Sequence, residues 1–123
     1  MPRADALEIP PPLELACLKV LWNLGEGNVR DVRRELAPTR PLAYTTVMTV
    51  LDRLAHKGVV SRRKVGRSFL YTPQVSRDTL RQLAVERLVE DFFGGLKDEL
   101  RAYLEGAPGN SSPPAPALDT TLL

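Results

Sequence analysis

Between Tyr44 and Thr72 the apolar spacing of the chain switches from helical to extended. Val47, Val50, Leu51 and Leu54 fall at i, i+3, i+4 and i+7, a spacing that buries one face of a helix. At 100° per residue, Thr45, Thr49, Asp52, Arg53 and His56 project from the other face. Gly58 then supplies a helix stop, because glycine adopts the left-handed conformation that closes helix ends. Val59–Val65 and Ser68–Thr72 are short runs containing β-branched and aromatic residues, separated by Gly66-Arg67. Such a pair of runs predicts a β-hairpin.

Before this stretch the pattern predicts two further helices. The triple proline Pro10-Pro11-Pro12 cannot lie inside a helix, since proline removes an N–H and clashes with the preceding turn. A helix over Leu13–Leu24 follows, with Leu13, Cys17, Val20, Leu21 and Leu24 on one stripe and Leu15, Leu18 and Trp22 on the opposite one. A helix apolar on two sides is covered on two sides. Cys17 lies in the first stripe and is expected to be a small buried hydrophobe rather than a reactive thiol. Gly25-Glu26-Gly27 breaks the pattern, and Asn28 is a fitting N-cap for a helix over Val29–Leu36,. Val29, Val32 and Leu36 point inward there, while Arg30, Arg33 and Arg34 point outward.

After Pro73, Ser76 caps a predicted helix over Arg77–Phe92, and a further helix covers Leu96–Leu104 after the Gly94-Gly95 break,. Leu80, Leu83, Leu88, Phe92, Phe93, Leu96, Leu100 and Tyr103 give these helices more apolar surface than they can bury on each other. Surface of that kind marks an interface, and these residues are assigned to dimerisation. Folding back onto the preceding part of the chain is the alternative.

The expected fold is mainly α with a small β-hairpin: a winged helix-turn-helix domain followed by a helical dimerisation region. Its parts are an N-terminal lead-in (1–12), the winged-helix domain (13–74), the helical region (75–105) and a flexible Pro-rich tail (106–123).

Charge sharpens this picture. The net charge of +2 is small, but residues 1–75 hold 12 Lys+Arg against 7 Asp+Glu, and residues 76–123 hold 5 against 8. A basic front and an acidic rear fit nucleic-acid contact by the first part and protein contact by the second. Lys57, Arg62, Arg63, Lys64 and Arg67 follow one another with no acidic residue between them. The helix over Tyr44–His56 can therefore enter a major groove while the hairpin lies along the backbone or a minor groove. Thr45 and Thr46 sit in the first turn of that helix and Thr49 one turn on. Their hydroxyls can donate or accept, and their methyls can meet a thymine methyl. Arg53 can reach a guanine edge or a phosphate. Lys57, Arg63, Lys64 and Arg67 complete the expected DNA-binding set, with Arg62 a further phosphate contact. Asp52 either pairs with a neighbouring arginine or repels DNA at the groove edge. A winged-helix module for protein–protein assembly, with no specific DNA site, is the alternative function, and a small-molecule sensor a weaker third.

No catalytic constellation is visible, and an enzyme is not expected. With one Cys and one His the chain cannot complete a structural zinc site,. No cofactor is expected. A single cysteine, no signal-peptide pattern and no long apolar run together suggest a cytoplasmic protein without membrane insertion,.

The stretches LELACLKVLWNLGEGNVRDVRREL (13–36) and AYTTVMTVLDRLAHKGVVSRRKVGRSFLYTP (43–73) resemble the penicillinase-repressor (BlaI/MecI) family of bacterial winged-helix regulators. The resemblance implies a homodimeric repressor acting on a double-stranded DNA operator with dyad TACA and TGTA elements. It places Thr45, Thr46 and Thr49 among the DNA contacts. It also implies a membrane-bound sensor metalloprotease as partner, whose signal leads to repressor cleavage in the dimerisation region. The chain departs from the family at its C-terminus. Ala102-Tyr103 stands where the family's cleaved pair is Asn-Phe, the Pro-rich tail stands in place of a final dimerisation helix, and the paired Cys-X-Cys motifs of the copper-responsive branch are missing.

Overall fold

A computed structural model describes residues 7–106. The expected tail over 106–123 lies, but for Gly106, outside the described residues, as do the first six residues of the lead-in. The elements are α1 (Pro12–Leu24), α2 (Val29–Leu36), α3 (Tyr44–His56), β1 (Val60–Val65), β2 (Ser68–Pro73), α4 (Arg77–Phe92) and α5 (Lys97–Leu104). The chain forms two compact units that divide after Leu83, within α4.

Local chemistry sets most boundaries of the first unit. α1 opens on proline, whose fixed φ suits a first helical position,. It closes at Gly25, where φ is 89° and the N–H reaches Leu21 O at 2.7 Å. Asn28 caps α2 reciprocally: its Oδ1 accepts from Asp31 N–H at 2.7 Å, and Asp31 Oδ2 accepts from Asn28 N–H at 3.2 Å,. α3 ends in a paired closure, with Gly58 N–H to Ala55 O at 3.1 Å and Val59 N–H to Leu54 O at 3.0 Å. Gly58 permits it at φ 81°,. That closure explains why β1 begins at Val60 and not at Val59: the Val59 N–H is spent on the helix end.

β1 and β2 pair antiparallel from Val60↔Pro73 to Val65↔Ser68, so the turn is Gly66-Arg67, with Gly66 at φ 61°. A single-residue third strand joins them. Gly27 and Tyr71 exchange both backbone hydrogen bonds, at 3.0 and 2.9 Å, which ties the α1–α2 loop to the wing.

The core of this unit is one cluster. Cys17, Leu18 and Leu21 of α1 pack with Val29, Val32 and Leu36 of α2 and with the buried stripe of α3. Tyr71 of β2 closes the cluster beside Val59 and Val60. Full burial of each such Val or Leu contributes roughly 1.5–3 kcal/mol. Cys17 is buried as expected, and burial pushes its thiol up to about 11 from 9.0. Trp22 Nε1 donates to Val75 O at 2.8 Å. Ser76 caps α4 through Thr79 N–H at 3.0 Å. Leu80 is buried in the first unit's core and Leu83 packs against it. Leu80, expected at the interface, thereby stands in the core of the first unit, and Leu83 is half-buried against it, because the first turns of α4 complete the winged domain.

In the second unit, Val89 is the one buried residue of 84–106. Phe93 and Tyr103 pack with ring centroids 5.6 Å apart, and Phe93 and Leu100 are half-buried. Leu88, Phe92, Leu96, Tyr103 and Leu104 are exposed, Phe92 at 76%. No helix among the described residues is long and apolar enough to cross a membrane.

Candidate nucleic-acid interface

The buried stripe of α3 fixes what its outer face presents. With Val47, Val50, Leu51 and Leu54 packed inward, Thr45, Thr49, Arg53 and His56 are exposed and Thr46 is half-buried at the flank. Thr45, Thr49 and Arg53 thus stand as the helical period places them.

Asp52 joins α3 to the wing. Its Oδ1 accepts from the Tyr71 hydroxyl at 2.7 Å and from Arg62 Nη1 at 3.1 Å. Arg62 also stacks on Phe69, 4.2 Å from the ring centroid, a cation–π contact. Of the two roles open to Asp52, pairing with an arginine is the one found. Burial pushes the Tyr71 hydroxyl up from 10.0 to about 12, with the Asp52 hydrogen bond and charge adding to the rise and Arg62 opposing it. The phenol therefore stays protonated and donates to Asp52 throughout the neutral range. Along β1, Arg62 turns to Asp52, while its neighbour Arg63 pairs with Glu26 at 3.5 Å, as side chains alternate across a strand.

Lys57, exposed at the end of α3, also makes a contact outside the basic run. Its Nζ lies 2.7 Å from Oε1 of Glu14, and Glu14 is 5% exposed in the first turn of α1. A buried carboxylate needs a partner, so Lys57 serves as its counter-charge and is tied to α1. The signal for this was weak but present, since Glu14 lies between Leu13 and Leu15 in an otherwise apolar turn. Arg53, Lys64 and Arg67 are exposed and make no salt bridge among the described residues. Arg67 stands at the tip of the hairpin turn.

Sequence reasoning passed over the space between α3 and the wing. A cleft of about 300 Å³ lies there, with Tyr44, Met48 and Phe69 on its walls and Arg30 and Arg67 among its lining residues. Tyr44 and Met48 are exposed at 46% and 38%. At i and i+4 they form a stripe beside the threonine stripe, facing the hairpin. No group of His, Cys, Asp or Glu among the described residues could hold a metal ion. A helix with a polar outer face, braced against a hairpin with a basic tip, can present base-reading side chains and phosphate-neutralising charges together.

Known proteins share this arrangement. The penicillinase repressor family profile matches residues 11–110. The transcriptional regulator BlaI of Mycobacterium tuberculosis is 37% identical over 129 aligned positions, which take in 88% of this chain and 94% of that protein. The penicillinase repressor of Bacillus licheniformis is 32% identical over 82 positions, 67% of this chain and 64% of the relative. Among solved structures, the DNA-binding domain of the repressor BlaI superposes with a TM-score of 0.52 at 32% identity, covering 64% of this chain and 93% of that one. The monomeric form of Bacillus licheniformis BlaI in complex with the blaP half-operator superposes with a TM-score of 0.50 at 33% identity, with the same coverage. These likenesses confirm the winged helix, to which the structure adds the C-terminal helices, and they make the chain a member of a transcriptional-repressor family and not of an enzyme family. The chain belongs to the penicillinase repressor family.

Proposed function

We propose that this protein represses transcription by binding an operator as a homodimer. α3 reads the major groove through Thr45, Thr49 and Arg53, with Thr46 at its flank, and the wing neutralises phosphates through Lys64 and Arg67. Arg63 joins them by exchanging its contact with Glu26 for a phosphate. The observation that carries this reading is the exposed polar face of α3 held beside a basic hairpin tip by Asp52. Support comes from the relative whose structure contains a half-operator.

Dimerisation rests on the exposed apolar side chains of the second unit, chiefly Leu88, Phe92, Leu96 and Leu104. A two-fold dimer carries two copies of α3, so the operator is an inverted repeat with half-sites about one helical turn, or a multiple of it, apart. The family resemblance supplies TACA and TGTA as the half-site elements. Release by a membrane-bound sensor metalloprotease belongs to the same reading. The Ala102–Tyr103 bond lies within α5, so cleavage there requires that helix to unwind locally.

Two substitutions test the division of labour. Thr49→Ala narrows the gap between operator and scrambled DNA. Arg67→Ala weakens binding to both and lowers the salt slope by about one. Equal loss from both substitutions on both DNAs would contradict it.

A further inference from the structure

The apolar stripe of α3 is out of place on a surface meant only for hydroxyls and charges. Tyr44 and Met48 are exposed and face a cleft whose opposite wall carries Phe69 of the wing. Phe69 is itself held by the Arg62 guanidinium at 4.2 Å, and Arg62 by Asp52. The cleft therefore sets an apolar patch, Tyr44 and Met48 from α3 and Phe69 from the wing, within a lining that also holds Asn28, Asp52 and Ser68. Its rim is cationic: Arg30 and Arg67 both line it, and neither makes a salt bridge among the described residues. A cleft of that kind fits an occupant with an apolar projection and flanking negative charge. In the major groove of DNA the one apolar projection is the C5-methyl of thymine, and phosphates flank it on each strand.

We infer that Met48, with Tyr44 beside it, is a specificity-determining residue that reads a thymine methyl in the cleft between α3 and the wing. The inference rests on the operator-binding reading and adds to it the base and the atom recognised. Thr45 and Thr49 also carry methyls on α3, so the two sets of residues compete for the same role. Met48 differs from them in lining the cleft, where a methyl would meet Tyr44 of α3 and Phe69 of the wing as well. A methyl buried against apolar side chains is worth about a fourfold change in affinity.

The test uses the full chain and begins by selecting a preferred duplex from random DNA. Each thymine of one half-site is then replaced by uracil, which removes only the methyl, and binding is followed by fluorescence anisotropy. The expected result is a loss of about fourfold at one thymine with the unaltered protein. That loss disappears in Met48→Ala and persists in Thr49→Ala. Met48 is exposed, so its truncation leaves the core intact, and circular dichroism confirms the fold of each variant. Methyl sensitivity that persists in Met48→Ala, or that vanishes in Thr49→Ala instead, overturns the inference while leaving operator binding in place. Absence of any methyl sensitivity overturns it equally. A selection that yields no preferred duplex removes the operator-binding reading itself, and the inference with it.

Discussion

Single residues carry opposite kinds of work on the two sides of α3. Asp52 is acidic on a face otherwise suited to DNA, and its bonds to Tyr71 and Arg62 account for it. Asp52→Ala leaves the buried Tyr71 hydroxyl without its acceptor, at an expected cost of about 1–3 kcal/mol. Tyr71→Phe removes the donor instead and is expected to cost about 1 kcal/mol. Urea denaturation of the two variants checks the order. The same buried groups set the alkaline limit of stability. Cys17 and Tyr71 have folded-state values raised to about 11 and about 12, from 9.0 and 10.0. The unfolded chain therefore loses these protons first. Their contribution is fully present below pH 9 and falls as pH rises through 11 to 12. Denaturation midpoints measured from pH 8 to pH 11 should decline above pH 9, and Cys17→Ala should flatten the first part of that decline. A midpoint that holds level to pH 11 would contradict this assignment.

Elements were legible in the sequence where their ends are made by local chemistry. The α2 bounds match the expected ones because Asn28 and Asp31 sit three residues apart and cap each other. The α4 bounds match because Ser76 binds Thr79 N–H. Asn28→Ala should cost about 1 kcal/mol of stability, read from thermal denaturation. The hairpin turn was legible from Gly66, whose φ of 61° is costly for a residue with a Cβ by about 1–2 kcal/mol. Gly66→Ala should therefore speed hydrogen exchange in β1 and β2 while leaving α1–α3 protected. What the sequence could not disclose depends on distant partners. The Gly27–Tyr71 pairing has no period to detect, because the strand is one residue long. Lys57 looked like part of a basic run; Glu14 in an apolar turn hinted at a buried carboxylate, but only the fold shows that Lys57 is its partner. Leu80 looked like interface because the periodicity of α4 does not say where the first core ends. The threonine face of α3 was legible from the helical period alone, whereas the Tyr44–Met48 stripe needed the wing in place to give it a second wall.

At the scale of the molecule, a basic winged unit and an apolar helical unit divide recognition from assembly in the proposed repressor. Leu88 and Phe92 lie exposed in the second unit, so Leu88→Asp should yield a monomer whose first unit remains folded. Sedimentation velocity reads the mass, and a dimer that survives the substitution would place the interface elsewhere. Loss of the dimer should also weaken operator binding far more than binding to a single half-site. The most direct test of the central claim is fluorescence anisotropy of the full chain, with a labelled TACA/TGTA inverted-repeat duplex and a scrambled control at two salt concentrations. Binding to the inverted repeat on the order of a thousandfold tighter than to the control, the range of specific regulators, is the predicted result. Equal, weak and salt-sensitive binding to both duplexes would contradict it.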